Sequence, residues 1–582
     1  MNRNFRFACA AAIALIAAAY ASSLHNSFHF DDSHVIENNA AIRSLHNVPR
    51  FFTDAHTFSS LPQNATYRPL VSLTLALDYA RGALDPFQYH VTQLALLFIL
   101  GAMLVAFFDP MVGRWPALFA ATLFCVHTAN TETMNLISAR SELLSTIGLL
   151  GSFLLYQRSP AARRTLLYLI PLAIGALAKA PLVVFAPLLF FYALWIEGES
   201  PKRALRIALP SLILGVALLI FLNSMNAPEW VGGGGSAWHY AITQPFIWLH
   251  YARLFVLPIG LTADTDWQPF AQWYDTRAVA GYAFIALLLL AIRRAPNVVK
   301  FGLVWFAIAL LPTSLFPLAE VANEHRVFFA FIGLVLALST FLHARYAPAF
   351  AIALLLVYAY ATRARNEVWR SEETLWSDVV TKSPGNGRAW MNYGLTQMGK
   401  GAFVDAKRSF DRAAALTPNY WTLEINEGID EGALGHDAEA ERHFRRALQL
   451  NPDHNAHFFY GRWLAQRGRK SEALQHVREA ARLSPTFAGA QELLRQLETA
   501  HPTYDSYFND GLAAIQRADW NEAARLNREA LRLNPHSADA LNNLGWALAQ
   551  LGHRDEARRA YEQALAIDPK HERARNNLAL LR

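Results

Sequence analysis

The sequence has 582 residues, 53% hydrophobic and 17% charged, with a net charge of +6. Two cysteines, Cys9 and Cys125, both inside apolar runs, exclude a disulfide framework and any zinc-site spacing. Many basic residues sit in short loops between apolar runs, where they set membrane topology, so no nucleic-acid partner is expected.

The chain divides into two unlike parts. Residues 1–362 are a series of long apolar stretches, too long and too apolar for one soluble core. The first, in MNRNFRFACAAAIALIAAAYASS, has a basic start and an apolar run like a secretory signal. It reads better as an uncleaved helix. Eleven spans are expected, at 7–24, 89–108, 115–130, 134–156, 165–179, 181–197, 207–223, 279–292, 300–317, 327–343 and 347–362. Basic residues mark alternate loops: Arg3 and Arg6, Arg114, Arg158 with Arg163 and Arg164, Lys202 with Arg203 and Arg206, Arg293 with Arg294 and Lys300, and His343 with Arg345. The positive-inside rule puts these on the cytoplasmic side. The N-terminus is then inside and the C-terminal part outside. Residues 241–258 would upset this alternation as a twelfth span, so an interfacial or re-entrant placement is expected for them.

The outer loops are then 25–88, 131–133, 224–278 and 318–326. The third carries Trp230, Trp238, Trp248, Trp267 and Trp273, a density that suits the membrane interface and also a sugar-stacking surface. The first begins with Asp31 and Asp32, in HNSFHFDDSHVIENN. A carboxylate beside a membrane surface suits a general base acting on a hydroxyl, and a pair also suits a divalent metal ion. Glu132 follows His127 in CVHTANTETMNLISARSELL, and Arg140 and Glu142 lie within the following span. Charges there are functional candidates, Arg140 either for a lipid phosphate or for an internal pair with Glu142. Lys179 invites the same phosphate reading, and Arg326 with Glu320 and Glu324 forms another cluster. His25, His29 and His34 lack zinc spacing.

From about residue 380 the chain is polar and repetitive. Pro384, Pro418 and Pro452 are 34 residues apart, Pro485 follows after 33, and Pro535 and Pro569 again differ by 34. Gly394, Gly428, Gly461, Gly511 and Gly545 keep step, as do Ala406, Ala440, Ala473, Ala523 and Ala557. Helix, Gly, helix, Ala, then Pro at this period is the tetratricopeptide pattern, an α-solenoid whose groove binds protein or peptide. The wider gap from Pro485 to Pro535 predicts a bend or an extra helix near LLRQLETAHPTYDSYF.

The order Phe30-Asp31-Asp32, Tyr67-Arg68-Pro69-Leu70, His90, His127 to Glu132, then Arg-x-Glu-Leu-Leu from Arg140 resembles the transmembrane-and-tetratricopeptide O-mannosyltransferase family. EHRVFFAFIG and RNEVWRSEETLWSDVVTKSP continue the likeness into the repeats. The resemblance implies an all-α protein. A membrane bundle of the glycosyltransferase type C fold would occupy 1–362, a connecting helix 363–383 and the repeats 384–582. It implies transfer of a sugar from a polyisoprenyl phosphate to Ser or Thr hydroxyls. It places a catalytic acid on Asp31 or Asp32 and a functional Glu on Glu132. It also implies a substrate- and phosphate-binding set, carried onto Arg140, Lys179, Arg326, His127, Tyr67, Arg68 and His90. The family's His-Pro-x-His-Thr-Glu is here His127-Thr128-Ala129-Asn130-Thr131-Glu132, and its Lys-Glu pair is Lys179-Ala180. These departures bear on the sugar and acceptor more than on the reaction class. The Arg-rich, Cys-poor chain looks bacterial. The expected setting is an inner membrane, with undecaprenyl phosphate carrying the sugar, the repeats in the periplasm and an exported or surface protein as acceptor. No cofactor is required beyond a possible divalent metal at Asp31 and Asp32. The rival expectations are a glycan or lipid ligase or polymerase, and a non-enzymatic envelope scaffold.

Overall fold

A computed structural model describes residues 3–179, 183–228, 235–342, 347–485, 487–499 and 503–581. Trp230, Ala180, His343 and Arg345 lie outside them. The described residues are helices, turns and loops, with no strand. The chain forms two compact units, Met1–Asn386 and Gly387–Arg582.

The first unit is a helical bundle. Among the described residues, five helices are long and apolar enough to cross a membrane: Arg3–His25, Pro86–Val112, Pro201–Met225, Thr276–Arg294 and Asn297–Leu315. Arg114–Val126 and Phe185–Trp195 are apolar but shorter. The expected span 165–179 contains only the helix Leu169–Ala176. The number eleven therefore rests on the sequence alone. Prolines open several of these helices, at Pro69, Pro86 and Pro201, where a missing N–H costs nothing. Asp85 and Ser200 cap the latter two.

Close approach of helices depends on glycine. A methyl group at Gly333 would run into the carbonyl of Gly302, and one at Gly302 into that of Gly333, where Asn297–Leu315 packs on Val327–Ser339. Packing of this kind drives association in lipid, where no hydrophobic effect separates the helices from their solvent. Gly333→Ala is expected to cost roughly 1–3 kcal/mol by overpacking. The readout is a lower thermal midpoint of the full chain in detergent.

Residues 241–256 fall in one helix, Ala237–Val256, with Leu257 and Pro258 just beyond its end. Tyr240 Oη donates to the Thr313 carbonyl at 2.7 Å, Trp248 Nε1 to Ser314 Oγ at 2.8 Å and Tyr251 Oη to the Asn323 carbonyl at 3.0 Å. Positions spread along the helix thus reach the end of Asn297–Leu315 and the loop after it. The middle of the helix also packs closely on Thr276–Arg294, where Gly281 meets the backbone of Pro245 and Phe246.

The first outer loop is folded. Phe28, Val35, Ile36, Ile42, Phe51, Phe58, Val71 and Leu75 form its core with Tyr89 and Ile137 of the bundle. The turn expected at 131–133 is longer: residues 127–139 wind through three short helical turns and are buried throughout. Polar side chains tie this buried turn to its surroundings. Asn130 Nδ2 donates to the Phe124 carbonyl at 2.8 Å, and Asn135 Nδ2 to Asn366 Oδ1 at 2.7 Å.

In the second unit, helices pair as Gly387–Gly399 with Phe403–Leu416, Trp421–Leu434 with Asp437–Leu450, and His454–Gln466 with Lys470–Leu483. After an extra helix, Ala488–Thr499, pairing resumes with Tyr504–Gln516 on Trp520–Leu533 and Ala538–Gln550 on Arg554–Ile567, closed by Glu572–Leu580. The periodic glycines have one job. Gly394 faces the Phe410 ring, Gly428 that of Phe444 and Gly545 that of Tyr561, each too close for a side chain. The periodic alanines are fully buried between the paired helices.

Candidate functional site

The consecutive acids Asp31 and Asp32 have opposite environments. Phe30, at φ 49°, is in the left-handed region that bulky residues avoid. Its ring packs on Trp376 at 5.0 Å, and the loop is tied down further where His29 Nδ1 meets Glu372 at 2.8 Å and His29 Nε2 meets the Trp369 carbonyl at 2.6 Å. The strained residue is thus clamped by RNEVWRSEETLW, a stretch far away in sequence.

Asp32 is completely buried. Its Oδ1 accepts from Ser138 N at 2.7 Å, and its Oδ2 from Ile137 N at 3.1 Å and His29 N at 3.3 Å. It therefore pins the first outer loop to the buried 127–139 turn. Burial pushes its carboxyl up to about 6, against the pull of the three amides. Asp31 is different: its side chain is 66% exposed, with Oδ1 3.4 Å from His34 Nε2. Burial by the surrounding protein would raise this carboxyl, but the His34 hydrogen bond and the charges of His34, Arg68 and His325 outweigh it and bring it below its ordinary value. His34 is oriented by Ser59 Oγ at 2.9 Å from its Nδ1 and by Asn64 Nδ2 at 3.1 Å from its Nε2.

Arg68 lies over the Phe58 ring at 5.0 Å and feels the charges of both Asp31 and Glu142. Glu142 in turn pairs with Lys179. On the other flank, His325 Nδ1 meets Glu132 Oε1 at 2.7 Å and the Glu324 amide donates to Glu132 Oε2 at 3.1 Å. The structure therefore draws Asp31, Arg68, Glu142 and Lys179 toward one patch, with His325 and Glu132 beside it. His325 was missed as a site residue from sequence, although it sits in the EHR motif. His34 was weighed only as a metal ligand.

Other expected residues are bonded within the protein itself. Arg140 has no exposed surface. It pairs with Asp78 at 2.5 Å and donates from Nε to Gln93 Oε1 and from Nη2 to the Tyr89 carbonyl, both at 3.0 Å. Its pairing partner is Asp78, not Glu142. Tyr67 Oη donates to the Phe52 carbonyl at 2.9 Å and its ring is buried. His90 Nε2 bonds the Asn26 carbonyl at 3.1 Å. His127 stacks on Phe255 at 5.5 Å, with its Nε2 3.0 Å from the Phe255 carbonyl. Arg326 donates to the carbonyls of Val321 and Glu320 at 3.2 and 3.0 Å, bracing its own loop.

Both Asp32 oxygens already accept backbone N–H groups, three in all, while the Asp31 carboxylate faces outward. Among the described residues, the group spaced for metal ligation is Glu424, Glu427 and His443, in the repeats.

Family models described as tetratricopeptide repeat match residues 425–486 and 538–571. Protein O-mannosyl-transferase F38B6.6 of Caenorhabditis elegans is 24% identical over 436 residues, 70% of this chain and 62% of that protein. Mouse protein O-mannosyl-transferase TMTC3 is 22% identical over 475 residues, 72% of this chain and 52% of that protein. Human TMTC1, also a protein O-mannosyl-transferase, is 26% identical over 508 residues, 73% of this chain and 57% of that protein. The chain thus spans between half and two thirds of the length of these relatives. Among solved structures, the repeats are similar to YrrB, a TPR protein with an unusual peptide-binding site, at 18% identity and a TM-score of 0.21. That match covers 34% of this chain and 96% of YrrB. In sequence the chain is thus similar to TMTC-family protein O-mannosyl-transferases, and it carries tetratricopeptide repeats.

Proposed function

We propose that this protein is a membrane glycosyltransferase that moves a sugar from a polyprenyl-phosphate donor to Ser or Thr hydroxyls of an exported protein. One observation carries the assignment of its base. Of two adjacent acids, Asp31 alone presents an exposed carboxylate, beside His34 and within reach of the charges of Arg68 and His325. Asp31 takes the acceptor hydroxyl proton as that oxygen bonds to the sugar's anomeric carbon and the bond to the donor phosphate breaks. Arg68 and Lys179 meet the charge on the departing phosphate, the first by its planar fork and the second as a point charge. Glu132 holds His325 in place. Arg140 is a positioning residue that fixes the helices around Asp78. The repeats dock the acceptor, and tethering raises its effective concentration at the membrane. The alternating basic loops support a cytoplasmic N-terminus and repeats in the periplasm of a bacterial cell.

The reading is tested by reconstituting the purified chain in lipid with polyprenyl-phosphate hexoses and periplasmic extract, then recording intact-protein masses. A hexose-sized increment on particular proteins is expected. Sugar appearing only on lipid or glycan would overturn the protein-acceptor assignment.

The two acids also differ in pH dependence. With Asp31 as base, kcat/KM stays level through neutral pH and declines only below the usual carboxylate range, about 4. An acid limb near 6 would instead identify Asp32, whose carboxyl is pushed up to about that value.

A further inference from the structure

A separate cavity of about 390 Å³ lies in the first unit, lined among others by Trp267, His250, Tyr251, Thr262, Glu324 and Lys382. Its size falls in the usual range for small-molecule sites. The Trp267 indole is half-buried and held at a fixed angle, with its ring centroid 4.6 Å from His250 and 5.6 Å from Phe246. Glu324 is only 5% exposed. Its Oε1 accepts the Thr262 amide at 2.5 Å, while its Oε2 has no hydrogen-bond partner in the protein. A buried carboxyl oxygen without a partner is costly, and a ligand hydroxyl that reached it would relieve that cost. Burial pushes this carboxyl up, opposed by the charge of Arg365 and reinforced by that of Glu132, which favours the protonated form. Tyr251, on the cavity wall, is locked to the Asn323 backbone at 3.0 and 3.1 Å. The wall is therefore set in advance of binding.

An aromatic face beside a carboxyl group suits a pyranose, whose C–H face stacks on the ring while its hydroxyls reach the polar side. We propose that this cavity is a saccharide subsite that binds one neutral pyranose ring through Trp267 and Glu324. Its use, holding a sugar already present on the acceptor or product, rests on the glycosyltransferase reading. The binding itself rests on the cavity.

The test is saturation-transfer NMR on the full chain in lipid nanodiscs, with methyl mannopyranoside, methyl glucopyranoside and methyl galactopyranoside as probes. Saturable binding of at least one is expected. Trp267→Leu, which keeps apolar packing against Phe246, weakens it fivefold or more at an unchanged thermal midpoint, and Glu324→Gln weakens it likewise. Asp31→Asn leaves it unchanged. The absence of saturable binding by all three probes overturns the proposal, as does full binding by folded Trp267→Leu. Binding that follows this pattern in a protein without transferase activity would refute the proposed function and leave the subsite standing.

Discussion

Asp31→Asn is expected to remove transfer activity by 10²-fold to 10⁴-fold, the range associated with loss of a general base, while the protein folds with wild-type thermal stability. The side chain is exposed, and its interaction with His34 spans 3.4 Å, so little structure depends on its charge. Asp32→Ala is expected to behave in the opposite way. It strands the amides of Ile137 and Ser138 in a buried turn and releases the first outer loop from the bundle. Each orphaned buried donor costs about 1–3 kcal/mol, so this variant loses yield and thermal stability before activity can be judged. The pair of variants is read by intact-protein mass of acceptors and by thermal unfolding in detergent. A well-folded, inactive Asp32→Ala beside an active Asp31→Asn would reverse the assignment.

Arg140→Met is expected to destabilise the bundle by about 1–3 kcal/mol, because Asp78 Oδ2 loses its buried partner while Oδ1 keeps Arg81 and Thr92. Adding Asp78→Asn should recover part of the loss, since the amide keeps an oxygen for Thr92 and Arg81 and removes the charge that faced Arg140. Arg68→Met should reduce transfer at least tenfold with a smaller change in midpoint, whereas Lys179→Met, which leaves the buried Glu142 without its ion-pair partner, should lower both. Midpoints of the single and double variants form a double-mutant cycle that isolates the pair. An Arg140→Met protein of full stability but no activity would return this arginine to the substrate.

The broad organisation was legible because its signals are periodic or local. A 34-residue repeat of Pro, Gly and Ala needs no tertiary information: each Gly sits where a helix meets an aromatic or bulky neighbour, and each Ala where paired helices touch. The extra helix, Ala488–Thr499, was foreshadowed by the lengthened gap between prolines, although its start lies earlier than LLRQLETAHPTYDSYF suggested. The short motifs were legible as a series but not as roles. FDD, YRPL, the His127–Glu132 stretch, EHR and RNEVWRSEETLW converge because Phe30 packs on Trp376, Asp32 caps Ser138 and Glu132 receives His325. Within that convergence, Tyr67, His90 and His127 bond backbone carbonyls and hold the frame.

The sequence by itself determined an all-helical chain with an apolar, membrane-type part and a repeat part, since hydropathy and period are properties of neighbouring residues. It also identified the acidic pair as the place to look. Only the tertiary structure separates Asp31 from Asp32, and Arg68 from Arg140, by burial and partners. Adjacent acids have nearly the same local sequence. What separates them is a pair of amides 105 and 106 positions away, which meet one carboxylate and leave the other facing outward.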